Sequence, residues 1–295
     1  MTVRHTEETS RVAFIGAGLI GGSLAQAMAT RGEHGSVVVF NRTREKAEAL
    51  DGVEVVDTAA EAARAAHKFV HITMSEDEAL DRVLQNEELL AALSERDVIL
   101  IDHTTASPQG TRERHDRLAA RGIKMIHAPV FMSPAACLEA QGVMIVSGPR
   151  GLIVQAHDHL AAMTGKLVDL GERVDAAASY KLFGNALIIS LTGAMADVYT
   201  MAEQMGFSRE EAFKLIDFFN PGNTLKGRGA RMAEEDYSTS FEVSMARKDV
   251  RLMIEAAGER GDELITLPAV AARLDALIAR GHGDEDLGAI ARKLS

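Results

Sequence analysis

The sequence predicts an α/β chain: a doubly wound, mostly parallel sheet over residues 1–172, then an all-helical part over 173–295. Two observations predict it. Up to about residue 170, short apolar, β-branched runs alternate with stretches at helical spacing, and continuous apolar strands mean that both sheet faces are covered. After Gly171 such runs vanish and long helical stretches take over. In order, RVAFIG (11–16) reads as a strand and LIGGSLAQAMATRG (19–32) as a helix closed by Gly32. SVVVF (36–40) is a second strand and REKAEAL (44–50) a second helix. FVHIT (69–73), VILID (98–102), IKMIHAP (123–129), VMIVSG (143–148) and KLVDL (166–170) are further strands. The second part opens with a long helix from about 174 to 206, ended by Gly206. In SREEAFKLIDFF, Ser208 is an N-cap and Glu211 completes a capping box. FEVSMARKDVRLMIEAAGERG (241–261), LPAVAARLDALIARG (267–281) and DEDLGAIARKL (284–294) read as the remaining helices.

A chain of 295 residues is long enough for two domains, and 46% apolar with 25% charged residues is a globular balance. The net charge of −11, from 32 basic and 43 acidic residues, argues against a nucleic-acid partner. With no Trp and three Tyr, stacking platforms for single strands are poorly supplied too. The single cysteine, Cys137, permits no intrachain disulfide and fits a reducing cytoplasm. The polar start MTVRHTEETS lacks the apolar core of a secretory signal and reads as a short disordered leader. The apolar stretch after Lys181 comes closest to a membrane span, but Asp197 interrupts it, and no membrane is expected.

Gly16-Ala17-Gly18-Leu19-Ile20-Gly21 matches GxGxxG, and it follows a strand and opens a helix, the context that gives the motif meaning. The first glycine permits the tight turn, the second lets the backbone approach a pyrophosphate, and the third brings helix close to sheet. The helix N-terminus adds free N–H groups and a positive dipole end. A glycine-rich turn without a ligand is the alternative. With a ligand, the first part is a Rossmann-type dinucleotide domain. An NAD site would place Asp or Glu at the end of the second strand, on the ribose 2′-OH. Asn41, Arg42 and Thr43 stand there instead. No carboxylate repels a 2′-phosphate, Arg42 can pair with one, and Asn41 and Thr43 add hydrogen-bonding groups, which favours NADP over NAD. A solvated loop charge for Arg42 and an N-cap for Thr43 are the competing roles.

Lys181 and Asn185 lie in the apolar stretch SYKLFGNALIISLTGAM (179–195), four residues apart and therefore on one helix face. GAGLIGGSLAQAM, DHTTASP (102–108), HAPVFMSP (127–134), KLFGN (181–185) and RKDVRL (247–252) follow one another along the chain. Together they resemble the β-hydroxyacid dehydrogenase family, which includes 3-hydroxyisobutyrate dehydrogenase and relatives of 6-phosphogluconate dehydrogenase. The resemblance covers nearly the whole chain after residue 10, and KxxxN after a GxGxxG domain is its most specific element. It implies hydride transfer between NADP and a small β-hydroxyacid or its semialdehyde or keto partner. It implies Lys181 as general acid and base in a cleft between the domains, its pKa brought from about 10.4 toward about 7–8 by burial and nearby positive charge. Asn185 would hydrogen-bond the substrate beside it. Thr104 and Thr105 match the family's Ser-Thr pair, implying a hydrogen bond to substrate or nicotinamide ribose; capping the helix after Pro108 is the other reading. Met74 and Ser75, after the third of the strands read above, are expected cofactor contacts, as is Lys248 of the matching Lys248-Asp249 pair. An exposed charge pair is the alternative there. The resemblance also implies a homodimer or homotetramer through the helical part, and a 174–206 helix with so little polar face must be buried.

One loop departs from the family. Where relatives read Asp-Ala-Pro-Val-Ser-Gly-Gly, this chain reads His127-Ala128-Pro129-Val130-Phe131-Met132-Ser133. Glycines there let backbone N–H groups close on a substrate carboxylate. Phe131 and Met132 make that approach harder and more apolar, while Ser133 keeps a hydroxyl, so Phe131, Met132, Ser133 and Asn185 are the expected substrate contacts. Arg228 and Arg231 are candidates to bind a carboxylate, or else surface charges. The departure keeps imine reductases in view, which share the architecture and favour NADP but usually lack the lysine. A non-catalytic NADP-binding sensor is the third reading. The 10 histidines show no metal-ligand spacing, and no metal is expected. His103 and His127 read as hydrogen-bonded structural residues, and His157 and His159 as rings pointing apart on a helix.

Overall fold

The computed structural model describes residues 10–32 and 35–294; apart from Ser10, the polar leader lies outside the described residues. Six parallel strands form the main sheet: β1 Val12–Ile15, β2 Val37–Phe40, β3 Val53–Val55, β4 Phe69–Ile72, β5 Ile99–Asp102 and β6 Lys124–His127. Their order is β3-β2-β1-β4-β5-β6. Both faces are packed. Val12 and Phe14 join one core with Val37 and Val39, while Ala13 and Ile15 join the other with Val38, Val70 and Ile72. This is why the strands read as unbroken apolar runs. β7 Val130–Phe131, β8 Val143–Val146 and β9 Lys166–Asp169 make a second sheet, with β7 antiparallel and β9 parallel to β8. The last two strands read from the sequence thus leave the main sheet.

Two strands escape the sequence reading. β3 is a three-residue sheet edge, Val-Glu-Val, too short and too polar to show as an apolar run. β7 has two residues, between Pro129 and the helix Pro134–Leu138.

Two compact units divide between Gly184 and Asn185. The helix Ala176–Gln204 begins in the first and ends in the second. By length and composition alone it is apolar enough to cross a membrane. Its Asp197, however, is buried and accepts hydrogen bonds from the backbone N–H groups of Ile265 (2.6 Å), Thr266 (2.9 Å) and Leu267 (3.0 Å). The carboxylate thus caps the start of the helix Leu267–Ile278. Burial alone would raise this carboxyl, but those N–H groups and the Thr266 hydroxyl outweigh it and hold it below its usual range.

In the second unit the helix Val243–Ala256 packs on Leu267–Ile278 through Val243, Ala246, Val250, Ala271, Leu274 and Leu277. The first of these stops at Ala256, short of the expected 261, and a 3₁₀ segment, Gly258–Glu263, follows. Residues 284–294 hold a short 3₁₀ turn, Leu287–Ala291, rather than a helix. The Ser208–Glu211 capping box is present, although the helix it opens ends at Phe213 and a further turn, Leu215–Phe218, follows. The helix Pro221–Ala233 was not legible in sequence, because Gly222, Gly227 and Gly229 lower its helical propensity.

Candidate active site

β1, β2, β4 and β5 are hydrogen-bonded neighbours, and Ile15 stands level with Phe40 and Ile72, and Ile72 with Asp102. Hence the loops that follow them emerge side by side at the carboxyl end of the sheet. The crevice between β1 and β4 is the point at which the strand order reverses, where open α/β sheets bind ligands. The cofactor positions expected from the first unit lie on these loops or, for Leu19, Ile20 and Gly21, in the first turn of the helix that follows β1.

Gly16 has φ +103°, and a Cβ there would overlap the Thr73 carbonyl oxygen and stand 3.2 Å from Met74 Cε. A Cβ on Gly21 would overlap the Gly16 carbonyl. Gly18 differs: a side chain there would meet nothing within 4 Å. It is the N-cap of the helix Leu19–Arg31, without a side-chain cap and with no acidic residue in the first turn. Gly16 and Gly21 are therefore needed for packing, while Gly18 leaves open approach to uncapped helical N–H groups. That combination fits a dinucleotide pyrophosphate.

Asn41 has a role the sequence did not reveal. Its Oδ1 accepts from Ala17 N–H at 2.8 Å and its Nδ2 donates to Thr43 O at 2.7 Å. The amide thus braces the glycine loop against the turn after β2, so both its ends are occupied. Arg42 is exposed and makes no hydrogen bond or ion pair among the described residues. Thr43 is the N-cap residue of the helix Arg44–Glu48, with no side-chain cap bond. Leu19 is exposed at the start of its helix, Ile20 packs partly on the core, and Ser75 is exposed.

Thr104 is buried, its Oγ1 accepts from Met74 N–H at 3.0 Å, and its own N–H donates to Asp102 Oδ1 at 2.9 Å. The residue ties the loop after β5 to the loop after β4. Thr105 next to it is exposed. Neither caps the following helix: Ser107 does, accepting from Gly110 N–H.

Asp102 is wholly buried and also holds His127 Nδ1 at 3.1 Å. Burial works to raise its carboxyl, but His127 and the Thr104 N–H prevail and keep it below its usual range. A second buried feature joins His103, read in the sequence as a hydrogen-bonded structural residue, to two histidines whose part in it the sequence did not show. His103 Nδ1 lies 2.6 Å from Ala128 O, His103 Nε2 lies 2.8 Å from His71 Nδ1, and His71 Nε2 lies 2.8 Å from His159 Nε2. His71 also stacks on Phe14, and His159 on Phe69. A lone histidine in the middle of the apolar run FVHIT was the available signal. His157 is exposed beside Asp158, so the two rings of the His157–His159 pair do point apart.

On the helix Ala176–Gln204, Lys181 and Asn185 stand one turn apart and are both partly buried. The Lys181 ammonium lies 4.2 Å from the centre of the Phe131 ring. Burial lowers its pKa from the ordinary lysine value. Met132 receives the Cys137 thiol at 3.7 Å, and Ser133 caps Pro134–Leu138 by accepting from Ala136 N–H at 3.2 Å. Burial pushes that thiol up to about 11, which suits an inert core cysteine. In the second unit, Lys248 is exposed and pairs with Asp249 at 3.0 Å. Arg228 and Arg231 both face the buried Asp286, at 3.1 and 3.9 Å. That carboxylate also accepts from Ser240, Phe241 and Gly288 N–H groups, so the two arginines serve the packing of their own unit.

A six-stranded parallel sheet with a glycine loop at its switch point and a braced second-strand turn define a dinucleotide-binding protein of the Rossmann type. Residues 11–171 match the family model described as the NAD binding domain of 6-phosphogluconate dehydrogenase. Residues 176–294 match that of the NAD-binding domain of NADP-dependent 3-hydroxyisobutyrate dehydrogenase. The chain belongs to this NAD(P)-dependent, hydroxyacid dehydrogenase-like family. It is 27% identical to the uncharacterized oxidoreductase YfjR of Bacillus subtilis, over 95% of this chain and 98% of the relative. It is 23% identical to glyoxylate/succinic semialdehyde reductase 1 of Arabidopsis thaliana, over 95% and 96%. An imine reductase from Myxococcus stipitatus in complex with NADP+ superposes with a TM-score of 0.85 at 19% identity, covering 97% of this chain and 100% of that one. At that identity the likeness is one of fold.

Proposed function

We propose that the protein is an NADP-dependent oxidoreductase acting on a small β-hydroxyacid or its semialdehyde or keto partner, with Lys181 as general acid and base. The observation that carries this reading is Lys181 itself, a half-buried ammonium one turn from Asn185 on an apolar helix, in a chain of this family. When bound, the nicotinamide supplies or accepts the hydride. The N–H groups of the Gly16–Gly21 loop and the helix it opens hold the pyrophosphate. Arg42, otherwise unengaged among the described residues, pairs with the 2′-phosphate and sets the preference for NADP. Met74, Ser75 and Thr105 border the cofactor, and Lys248 adds a cation for it. Thr104 acts through the Met74 N–H it holds. In reduction the Lys181 ammonium gives its proton to the carbonyl oxygen, and in oxidation the neutral amine takes it from the hydroxyl. Asn185 orients that oxygen by a hydrogen bond.

The Arabidopsis relative, named for semialdehyde reduction, supports the substrate class. Imine reduction is the second reading, supported by the solved structures of that fold, and Lys181 speaks for a carbonyl instead. We further propose a cytoplasmic homodimer or homotetramer: Phe183, Leu187, Ile188 and Ile189 form an exposed apolar stretch that a second copy would cover. NADPH oxidation against small aldehydes, β-keto acids and cyclic imines, with Lys181→Ala beside wild type, tests the chemistry. A loss of about 10²–10⁴-fold on carbonyl substrates with NADPH binding retained is expected. Activity confined to imines, or indifferent to the substitution, would overturn it.

A further inference from the structure

Phe131 ends the two-residue strand β7, and its ring has somewhere specific to go. It lies against the helix Ala176–Gln204 at Gly184, where a Cβ would stand 2.5 Å from Cε1 and overlap Cζ. Only a residue without a side chain admits the ring there. On the same helix, three residues earlier, Lys181 places its ammonium 4.2 Å from the ring centre. This is inside the roughly 6 Å within which a cation is drawn to an aromatic face. The contact joins β7 to this helix, and all three residues belong to the first unit.

The electrostatic surroundings of Lys181 are spare. β7 and its neighbour β8 contribute no titratable side chain, nor does the Met132–Ser133–Pro134 turn. On its own helix Tyr180 tilts against Phe183, 5.6 Å between ring centres, and Asn185 is neutral. Among the described residues no charged group forms an ion pair with Lys181, and burial is what lowers it. The π face of Phe131 is therefore the neighbour that opposes burial and favours the charged amine.

We propose that Phe131 is a positioning residue for Lys181: its ring face holds the ammonium, Gly184 is the gap that admits the ring, and the pair keeps the lysine in the protonated form that carbonyl reduction consumes. Resting on the proposed role of Lys181, this gives the resting enzyme the protonation state from which carbonyl reduction starts. The ammonium at rest is a proton donor to a forming alkoxide, and one turnover leaves the neutral amine, which must be reprotonated from solvent.

The test reads Lys181 directly. In the full-length protein without cofactor or substrate, the lysine ¹³Cε resonance, identified by its loss in Lys181→Met, is titrated by NMR. Phe131→Leu keeps bulk but removes the π face, and the Lys181 pKa should fall by about half a unit to one unit. Phe131→Tyr should restore it. Gly184→Ala should evict the ring and reproduce the Leu effect while adding nothing to it in the double variant. The alkaline limb of NADPH-dependent reduction should move to lower pH by the same amount. An unchanged or raised pKa in both Phe131→Leu and Gly184→Ala overturns the proposal. If instead the titration behaves as expected but Lys181→Ala retains activity, the clamp stands and the catalytic reading fails.

Discussion

The buried histidine chain makes a quantitative prediction about acid stability. His103 Nδ1 faces the Ala128 carbonyl, which can only accept, so that nitrogen carries the proton. Burial brings the His103 pKa down from 6.5 to about 4. A neutral ring then accepts at Nε2, which requires His71 Nδ1 to donate. In the unfolded chain His103 takes up a proton as pH falls through about 6.5; in the folded chain it resists until about 4. The unfolded state binds more protons throughout this window. The stability contributed by a neutral His103 is thus full above about pH 6.5 and lost progressively down to about 4. Each unit costs about 1.4 kcal/mol at full slope, and integration from about pH 7.5 to about pH 4.5 gives about 2.5 kcal/mol. That is a large share of a typical 5–15 kcal/mol. Asp102, the carboxylate nearest in sequence, sits below its usual range and titrates under this window.

Urea unfolding of wild type and His103→Gln across that pH range isolates the effect. A glutamine amide can donate to Ala128 O and accept from His71, but it does not titrate. The variant should lose about 2.5 kcal/mol less than wild type on acidification, whatever its stability at neutral pH. Parallel curves for the two proteins would refute the assignment of a neutral, buried His103.

Other consequences are simpler. Arg42→Ala should weaken NADPH by about 1.5–3 kcal/mol, read by fluorescence titration, and leave NADH nearly unchanged; equal losses would deny it the 2′-phosphate. Gly16→Ala should destabilise the first unit and abolish cofactor binding, because φ +103° and the Thr73 carbonyl both reject a side chain; a soluble variant with normal NADPH affinity would contradict the packing. Asp197→Ala uncaps Leu267–Ile278 and should cost about 2 kcal/mol or more in chemical denaturation, and a neutral effect would show that water replaces the carboxylate without loss.

What the sequence disclosed and what it withheld follow from the range of the forces involved. The strands of the main sheet, the glycine loop and the Ser208 cap are local patterns, written in a few consecutive residues, and the structure carries them. β3 failed because an edge strand needs only one covered face and three residues. The roles of Asn41, Thr104 and Asp197 were out of reach for a different reason. Each side chain satisfies a backbone group on another element: 24 residues away for Asn41, 30 for Thr104 and 68 for Asp197 to Ile265. Nothing in the local pattern marks such a partner. Asp197 shows how far this matters. Read along the chain, it is a charge that spoils an apolar helix; in space, it is the cap of another helix, and the charge is tolerated because three N–H groups require it. Lys181 sits on the same helix and, among the described residues, has no such set of partners and faces the Phe131 ring. Two charges on one apolar helix thus have opposite physical status. The carboxylate is fully satisfied and structural, whereas the ammonium keeps its three donors uncommitted among the described residues, as the proton exchange proposed for it requires.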